Sequence, residues 1–271
     1  MPAMRHDEFF RKHPVFTGKE LNKHMSSHGE VAPRAQEALL AYHRKAGRVV
    51  RVRRGLYAVI PAGADADSYP IDPFLVATKL TTDAVLSHHT ALEFYGRAYS
   101  VQHHFIYSAS RPLSPLTFRS NFFRGTKFPV ALLRVGKEHC SVSTTERVGM
   151  ELRVTSLERT LVDVLDRPDL SGSWEEIWRS LESVEFFDLD KVVEYALLLG
   201  NATTGAKVGF FLEQHRELLM VEDCHLKAFH DLQPRQPHYL DRAKRKSGRL
   251  VPEWNLVVPS EVLERTWGEV L

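Results

Sequence analysis

The sequence predicts an α+β fold in two unequal parts, and three observations carry that expectation. A helical stretch at 33–46 runs straight into an arginine-edged hairpin at 49–60. Short alternating apolar runs, split by Pro and Gly, fill residues 101–155. From Ser156 onward the apolar period becomes helical. The expected architecture is an N-terminal winged helix-turn-helix, then a larger α+β domain with a mostly antiparallel sheet and a helical C-terminal half.

The first part reads as three helices and a hairpin. Met4 to Lys12 forms a short helix whose buried contacts are Phe9 and Phe10. Thr17 and Glu20 then have capping-box spacing, and Phe16 and Leu21 have staple spacing, so a second helix starts here and ends near Ser26. Ser26 to Val31 supplies the turn. Pro33 opens the third helix, where its missing N–H costs nothing. Ala35, Leu39, Tyr42 and Ala46 recur at helical spacing and predict the apolar stripe. Arg34, Glu37, Ala41, Arg44, Lys45 and Arg48 fall on the opposite side. Gly47 takes the left-handed position after the helix. The period then becomes two: Val50 and Val52 point one way, Arg51 and Arg53 the other. Arg54-Gly55 makes the tight turn, and Leu56 to Ile60 the return strand.

Ala62 to Tyr69 is small, polar and aperiodic, which predicts a linker over 62–71 between a domain at 1–61 and another at 72–271. Asp72-Pro73 caps a helix to about Leu80. A buried strand follows at Ala84 to Ser87, then a short helix from Thr90 to Tyr95 closed by Gly96. The runs VQHHFIYS, LTFRSNFF, VALLRV and MELRVTS read as strands. Ser156 caps a helix from Leu157 to Leu165, which Arg167-Pro168 stops. Further helices are expected at Trp174–Leu181, at Leu189–Leu199 behind the Asp188 cap, at Gly205–Leu219 and at Glu222–Leu232. Lys244 to Arg249 reads as a basic loop, and Trp254 to Val258 as a late strand returning to the sheet.

Composition narrows the function classes. An apolar content of 43% can supply a core. The start shows no charged-then-apolar leader, and no apolar run approaches the ~20 residues that span a bilayer. Only Cys140 and Cys224 could form a disulfide, which fits a reduced cytoplasm. The net charge of +2 hides a division. Residues 1–60 hold 12 Lys/Arg against 5 Asp/Glu, a net of +7, and the remainder holds 24 against 29, a net of −5. A basic head on a mildly acidic body points to nucleic acid.

The segments HPVFTGKEL, GRVVRVRRGLYAVIP, DPFLVATKL, LSHHTALEFYG, VTSLERTLVDVLDRP, YLDRA and WNLVVP, in this order, resemble AbiEi-type antitoxins. These are abortive-infection transcriptional regulators of type IV toxin–antitoxin systems. The resemblance spans nearly the whole chain. It implies an N-terminal winged helix that represses its own operon. It also implies a C-terminal domain that neutralises a nucleotidyltransferase-like toxin without a stable complex.

The expected partner is double-stranded DNA carrying an inverted-repeat operator. Arg34, Gln36, Arg44 and Lys45 are the candidates on the recognition helix, and Arg48 is a further DNA-binding candidate; in the major groove Arg can read guanine and Gln adenine, while Lys more often holds phosphate. Arg51, Arg53 and Arg54 of the wing are candidates for the phosphate backbone or minor groove. No catalytic residue, cofactor or metal is expected. The pairs His88-His89 and His103-His104 lack any ligand spacing that marks a metal site. Ser156, Glu158, Arg159 and Asp163 read as a cap, a dipole partner and an i,i+4 pair. Two alternatives stand beside the antitoxin reading: a stand-alone regulator whose C-terminal domain binds a ligand or oligomerises, and a nucleotidyl transferase or nuclease built on Asp188 and Asp190 with a DNA-targeting head.

Overall fold

Helix α1 (Asp7–Lys12), strand β1 (Val15–Thr17), helices α2 (Gly18–Ser27) and α3 (Pro33–Lys45) and the hairpin of β2 (Val49–Arg53) with β3 (Leu56–Val59) open the chain. They are seen in a computed structural model that describes residues 6–27, 33–241, 248–265 and 267. The start of the first helix at Met4 and the turn after Ser27 lie outside the described residues. The capping box forms as its spacing predicts: Thr17 N–H donates to Glu20 Oε2 at 2.7 Å, and Glu20 N–H donates to Thr17 Oγ1 at 3.2 Å. Strand β1 was not legible, because three residues are too few to show a period. It pairs antiparallel with β3, giving the order β1-β3-β2.

The body begins with α4 (Pro73–Thr78), whose N-cap Asp72 accepts from the N–H groups of Phe74 and Leu75. Then come β4 (Val85–Leu86), α5 (His89–Phe94), β5 (His104–Ala109), β6 (Leu116–Phe118), β7 (Asn121–Lys127), α6 (Val130–Arg134), β8 (Val142–Arg147) and β9 (Met150–Thr155). The sheet order is β6-β7-β5-β4-β9-β8. The pairings β6–β7, β5–β4 and β9–β8 are antiparallel; β7–β5 and β4–β9 are parallel. VALLRV is not a strand. It lies in α6, whose Ala-Leu-Leu-Arg are good helix formers placed directly behind Pro129.

The helical half holds α7 (Leu157–Asp166), α8 (Trp174–Glu182), α9 (Leu189–Leu199), α10 (Ala202–Gln214) and α11 (Asp223–Leu232). Ser156, Ser173, Asp188 and Asn201 each cap a helix with a side-chain oxygen. Helix α10 starts and ends earlier than its expected 205–219, because Asn201 opens it. Strands β10 (His238–Tyr239), β11 (Gly248–Val251) and β12 (Leu256–Pro259) follow, with α12 (Ser260–Glu264). The late strand does not return to the large sheet; it forms a separate sheet of order β10-β12-β11. Of the expected basic loop, residues 244–247 lie outside the described residues, and Arg249 sits in β11.

Three apolar cores result. Phe9, Phe10, Phe16, Leu21, Met25, Leu40 and Val49 fill the head. A second core joins Val15, Val52, Leu56 and Ala58 of the head sheet to α4 and the large sheet through Phe74, Leu75 and Leu152. The third packs the helices α7 to α11 around Trp178 and Trp254. Gly209 shows how closely that last core is packed: a Cβ there would stand 2.2 Å from the Trp254 ring.

Candidate nucleic-acid interface

Helix α3 presents its cations to solvent, but it is turned from the orientation the sequence suggests. Leu40 and His43 are buried, whereas Tyr42 is 59% exposed and Ala46 is exposed. The exposed arc of α3 therefore carries Arg34, Glu37, Ala38, Ala41, Tyr42, Arg44 and Lys45. The physical reason is His43. It takes the inward place that a tyrosine was expected to fill, with its ring edge-on to Phe10 at 4.8 Å. Burial lowers its pKa, and the charges of Arg48 and His6 lower it further, so the imidazole is held towards the neutral form that an apolar core accepts.

Gln36 and Arg48 meet partners inside the protein. Gln36 Nε2 donates to the Gly18 carbonyl at 2.6 Å, and its Oε1 accepts from Asn22 at 3.3 Å. Those bonds fix α3 against the start of α2. Arg48 Nη2 pairs with Asp7 at 2.7 Å and ties the end of α3 to α1. Either side chain would have to leave these partners to reach a base.

The wing is short. Gly55 takes a φ of +79°, as the two-residue turn demands. Its carbonyl accepts from Gly18 N–H at 2.8 Å, so the tip lies level with the start of α2. The ladder slips between Arg51 and Arg53: Arg51 faces Tyr57 while Arg53 faces Leu56. The extra residue, Val52, turns into the core shared with the body. Arg51 and Arg54 are exposed, and Arg53 is half-buried.

Sequence reading missed the cations on the other side of the tip. Lys19 and Lys23 lie one turn apart on the exposed side of α2, and they line a groove of about 1180 Å³ with Arg53 and Arg54. Lys79 and Arg153 of the body lie across it. The i,i+4 spacing of the two lysines was the available signal. The position of Lys79 and Arg153 was not readable, since it depends on how head and body dock. Lys79 is paired with Glu20 of the capping box. Burial raises the Glu20 pKa, but Lys79 and the Thr17 N–H outweigh it and hold the carboxyl below its ordinary value.

The other sequence candidates are structural fittings. His88 and His89 do not alternate along a strand. His88 sits between β4 and α5 with φ +56°, and His89 Nε2 lies 3.0 Å from Glu176 in the interior. His103 contacts Asn121. Arg159 is fully buried, 3.3 Å from Asp163, and donates to the carbonyls of Glu138 and Cys140. Asp163 also accepts from Tyr195 at 2.6 Å. Asp188 caps α9 and pairs with Lys191. No described helix is long and apolar enough to cross a membrane.

Residues 4–60 match the family described as transcriptional regulator, AbiEi antitoxin. This segment is similar to AbiEi-type antitoxin regulator domains. The match covers the three helices and the hairpin but stops before the body. Over the whole chain, the crystal structure of the RV2827C protein from Mycobacterium tuberculosis superposes with a TM-score of 0.64 at 18% identity, covering 98% of this chain and 94% of that one. That likeness is one of fold and extends through the body. No curated protein matches the sequence. The matched family is one of antitoxin transcriptional regulators, and the likeness to it is confined to the head.

Proposed function

We propose that the chain is a DNA-binding repressor that serves as the antitoxin of a type IV toxin–antitoxin system. Its head, residues 1–61, binds an inverted-repeat operator in its own operon. Its body, residues 72–271, counters a nucleotidyltransferase-like toxin without a stable complex, and residues 62–71 connect the two. The observation that carries the DNA reading is a head similar to AbiEi-type domains, whose α3 exposes Arg34, Arg44 and Lys45 beside the wing's Arg51 and Arg54. In this reading α3 enters the major groove and the wing follows the phosphates. Gln36 and Arg48 hold α3 in place rather than reading bases. The tyrosine ring at 42 and the methyls of Ala38 and Ala41 share the outward arc and suit thymine methyl groups.

In this reading the body acts without catalysis, with Asp188 as a helix cap and the buried Arg159–Asp163 pair bracing α7. The test has two arms. In the first, the full chain is titrated against the DNA upstream of its own gene and against a scrambled duplex. Equal affinity for both removes the operator. In the second, a neighbouring nucleotidyltransferase-like gene is co-expressed with the full chain, with residues 1–61 and with residues 72–271. Rescue by the head alone removes the antitoxin assignment from the body.

A further inference from the structure

A second cavity lies where head meets body, on the α1 side of the head and away from the exposed arc of α3. It encloses about 410 Å³, within the size range of small-molecule sites, and domain junctions are where such sites concentrate. Phe10, Val15 and Ile60 of the head and Ile71, Leu75 and Val148 of the body give it apolar walls.

Its charges are unevenly paired. Four charged side chains line it, two acidic and two basic: Asp7, Arg11, Arg48 and Asp72. Asp7 and Arg48 neutralise one another at 2.7 Å. Asp72 is held by Arg147 at 2.5 Å and by the N–H groups of α4. Arg11, exposed on α1, has no direct ion pair among the described residues, though its charge also reaches Glu8, so it is the one lining charge without a direct partner.

Val148 is the second, independent observation. It occupies the tight turn between β8 and β9 with φ +52°, followed by Gly149 at +73°. Such a turn favours Asn, Asp or Gly, and a β-branched residue there is strained. Strain of this kind is held in place by its surroundings and is enriched at functional sites. Here it sets an apolar side chain, 65% exposed, on the rim of the cavity.

We propose that this junction cavity binds a small carboxylate with an apolar ring or chain. The carboxylate lies on Arg11, and the apolar part lies among the walls from both sides of the junction. The site is separate from the proposed DNA surface, and its occupancy is read without DNA, so either reading can fail alone.

The probe is 2-naphthoate, with 2-naphthalenemethanol as its neutral counterpart, titrated into the full chain by fluorescence and calorimetry. The naphthoate is expected to saturate a single site. Arg11→Gln should weaken the naphthoate by about tenfold, the scale of one charge-assisted contact, and leave the alcohol unchanged. Ala62→Trp fills the cavity from an exposed turn position and should abolish both. Val148→Asn relieves the turn, so it should weaken the naphthoate while the thermal midpoint rises. Non-saturable binding to the wild type, or binding indifferent to Ala62→Trp, overturns the site. Equal losses for acid and alcohol in Arg11→Gln overturn its anionic specificity.

Discussion

The three-stranded sheet of the head buries both of its faces, and the two faces differ. One carries Phe16, Val49, Tyr57 and Val59 against helices α1 to α3, in a core rich in aromatic rings. The other carries Val15, Val52, Leu56 and Ala58 against α4 and the large sheet. The first face is local in sequence. The second joins residues of the head to partners as far along the chain as Val154. Small antiparallel sheets commonly leave one face to water. This one does not, so apolar burial, and not only the tether, orients the head on the body.

The largest expected effects come from breaking one face at a time. Phe16→Ala should cost about 3–5 kcal/mol and Leu56→Ala about 2–5 kcal/mol, since both side chains are buried. All four tryptophans lie in the helical half, so their fluorescence reports the body, while circular dichroism reports the whole chain. In urea, Phe16→Ala should move the dichroism transition and leave the tryptophan midpoint in place. Leu56→Ala should move both. Identical shifts for the two variants would show one cooperative unit and erase the distinction. The same argument predicts that the isolated head self-associates through its uncovered face. Val52→Thr with Leu56→Thr should return it to a monomer by size-exclusion chromatography. A monomeric unaltered fragment would show that the second face needs no cover.

The contrast also explains what could be read from the sequence. Local signals were legible: the Thr17–Glu20 box, the Asp72, Ser156 and Asp188 caps and the Arg54-Gly55 turn involve residues within a few positions of one another. Errors arose where tertiary contact decides. His43 looked polar and Tyr42 apolar, yet the core took the histidine and turned α3 accordingly. The period-two reading of β2 placed Val50 and Val52 on one face, as the structure does, but the register shift between Arg51 and Arg53 and the core that this face joins were not readable. The bond from Gln36 to the Gly18 carbonyl was equally hidden, because nothing local reveals that partner. The second face of the sheet was invisible for the same reason.

A smaller effect separates the faces by pH. Burial, then Arg48 and His6, lower the pKa of His43 in the folded head. The unfolded chain therefore binds a proton that the folded head resists. Stability should fall as pH drops below the ordinary histidine value of about 6.5, with a slope from this residue approaching ~1.4 kcal/mol per unit, and should level off below the folded-state value. His88 and His89 of the body are likewise lowered by burial and add to the loss. His43→Leu should reduce the acid slope without abolishing it, read from urea midpoints between about pH 7.5 and 5.5. An unreduced slope would place the charged form of His43 inside the fold.

The smallest effect tests which outward edge of the sheet meets DNA in the proposed complex. Arg51 lies along the exposed edge, Arg54 caps the turn, and Arg53 is half-buried beside the groove. Phosphate contacts position a protein without specifying a sequence, so Arg51→Ala and Arg54→Ala should weaken operator and scrambled duplexes by similar factors. Each lost contact should flatten the plot of log affinity against log salt by about 0.9 units. Arg53→Ala should do less, because its surroundings already hold part of the side chain away from solvent. Arg34→Ala should differ in kind: if it reads a base edge, the operator loses about 1–3 kcal/mol and random DNA much less. Lys19→Ala and Lys23→Ala decide between two ways of seating the duplex. A flattened slope in those variants, with none in Arg51→Ala, moves the phosphate track from the β2 edge to the groove that the head shares with the body. The body would then take part in DNA binding because the second face of the sheet brings it there.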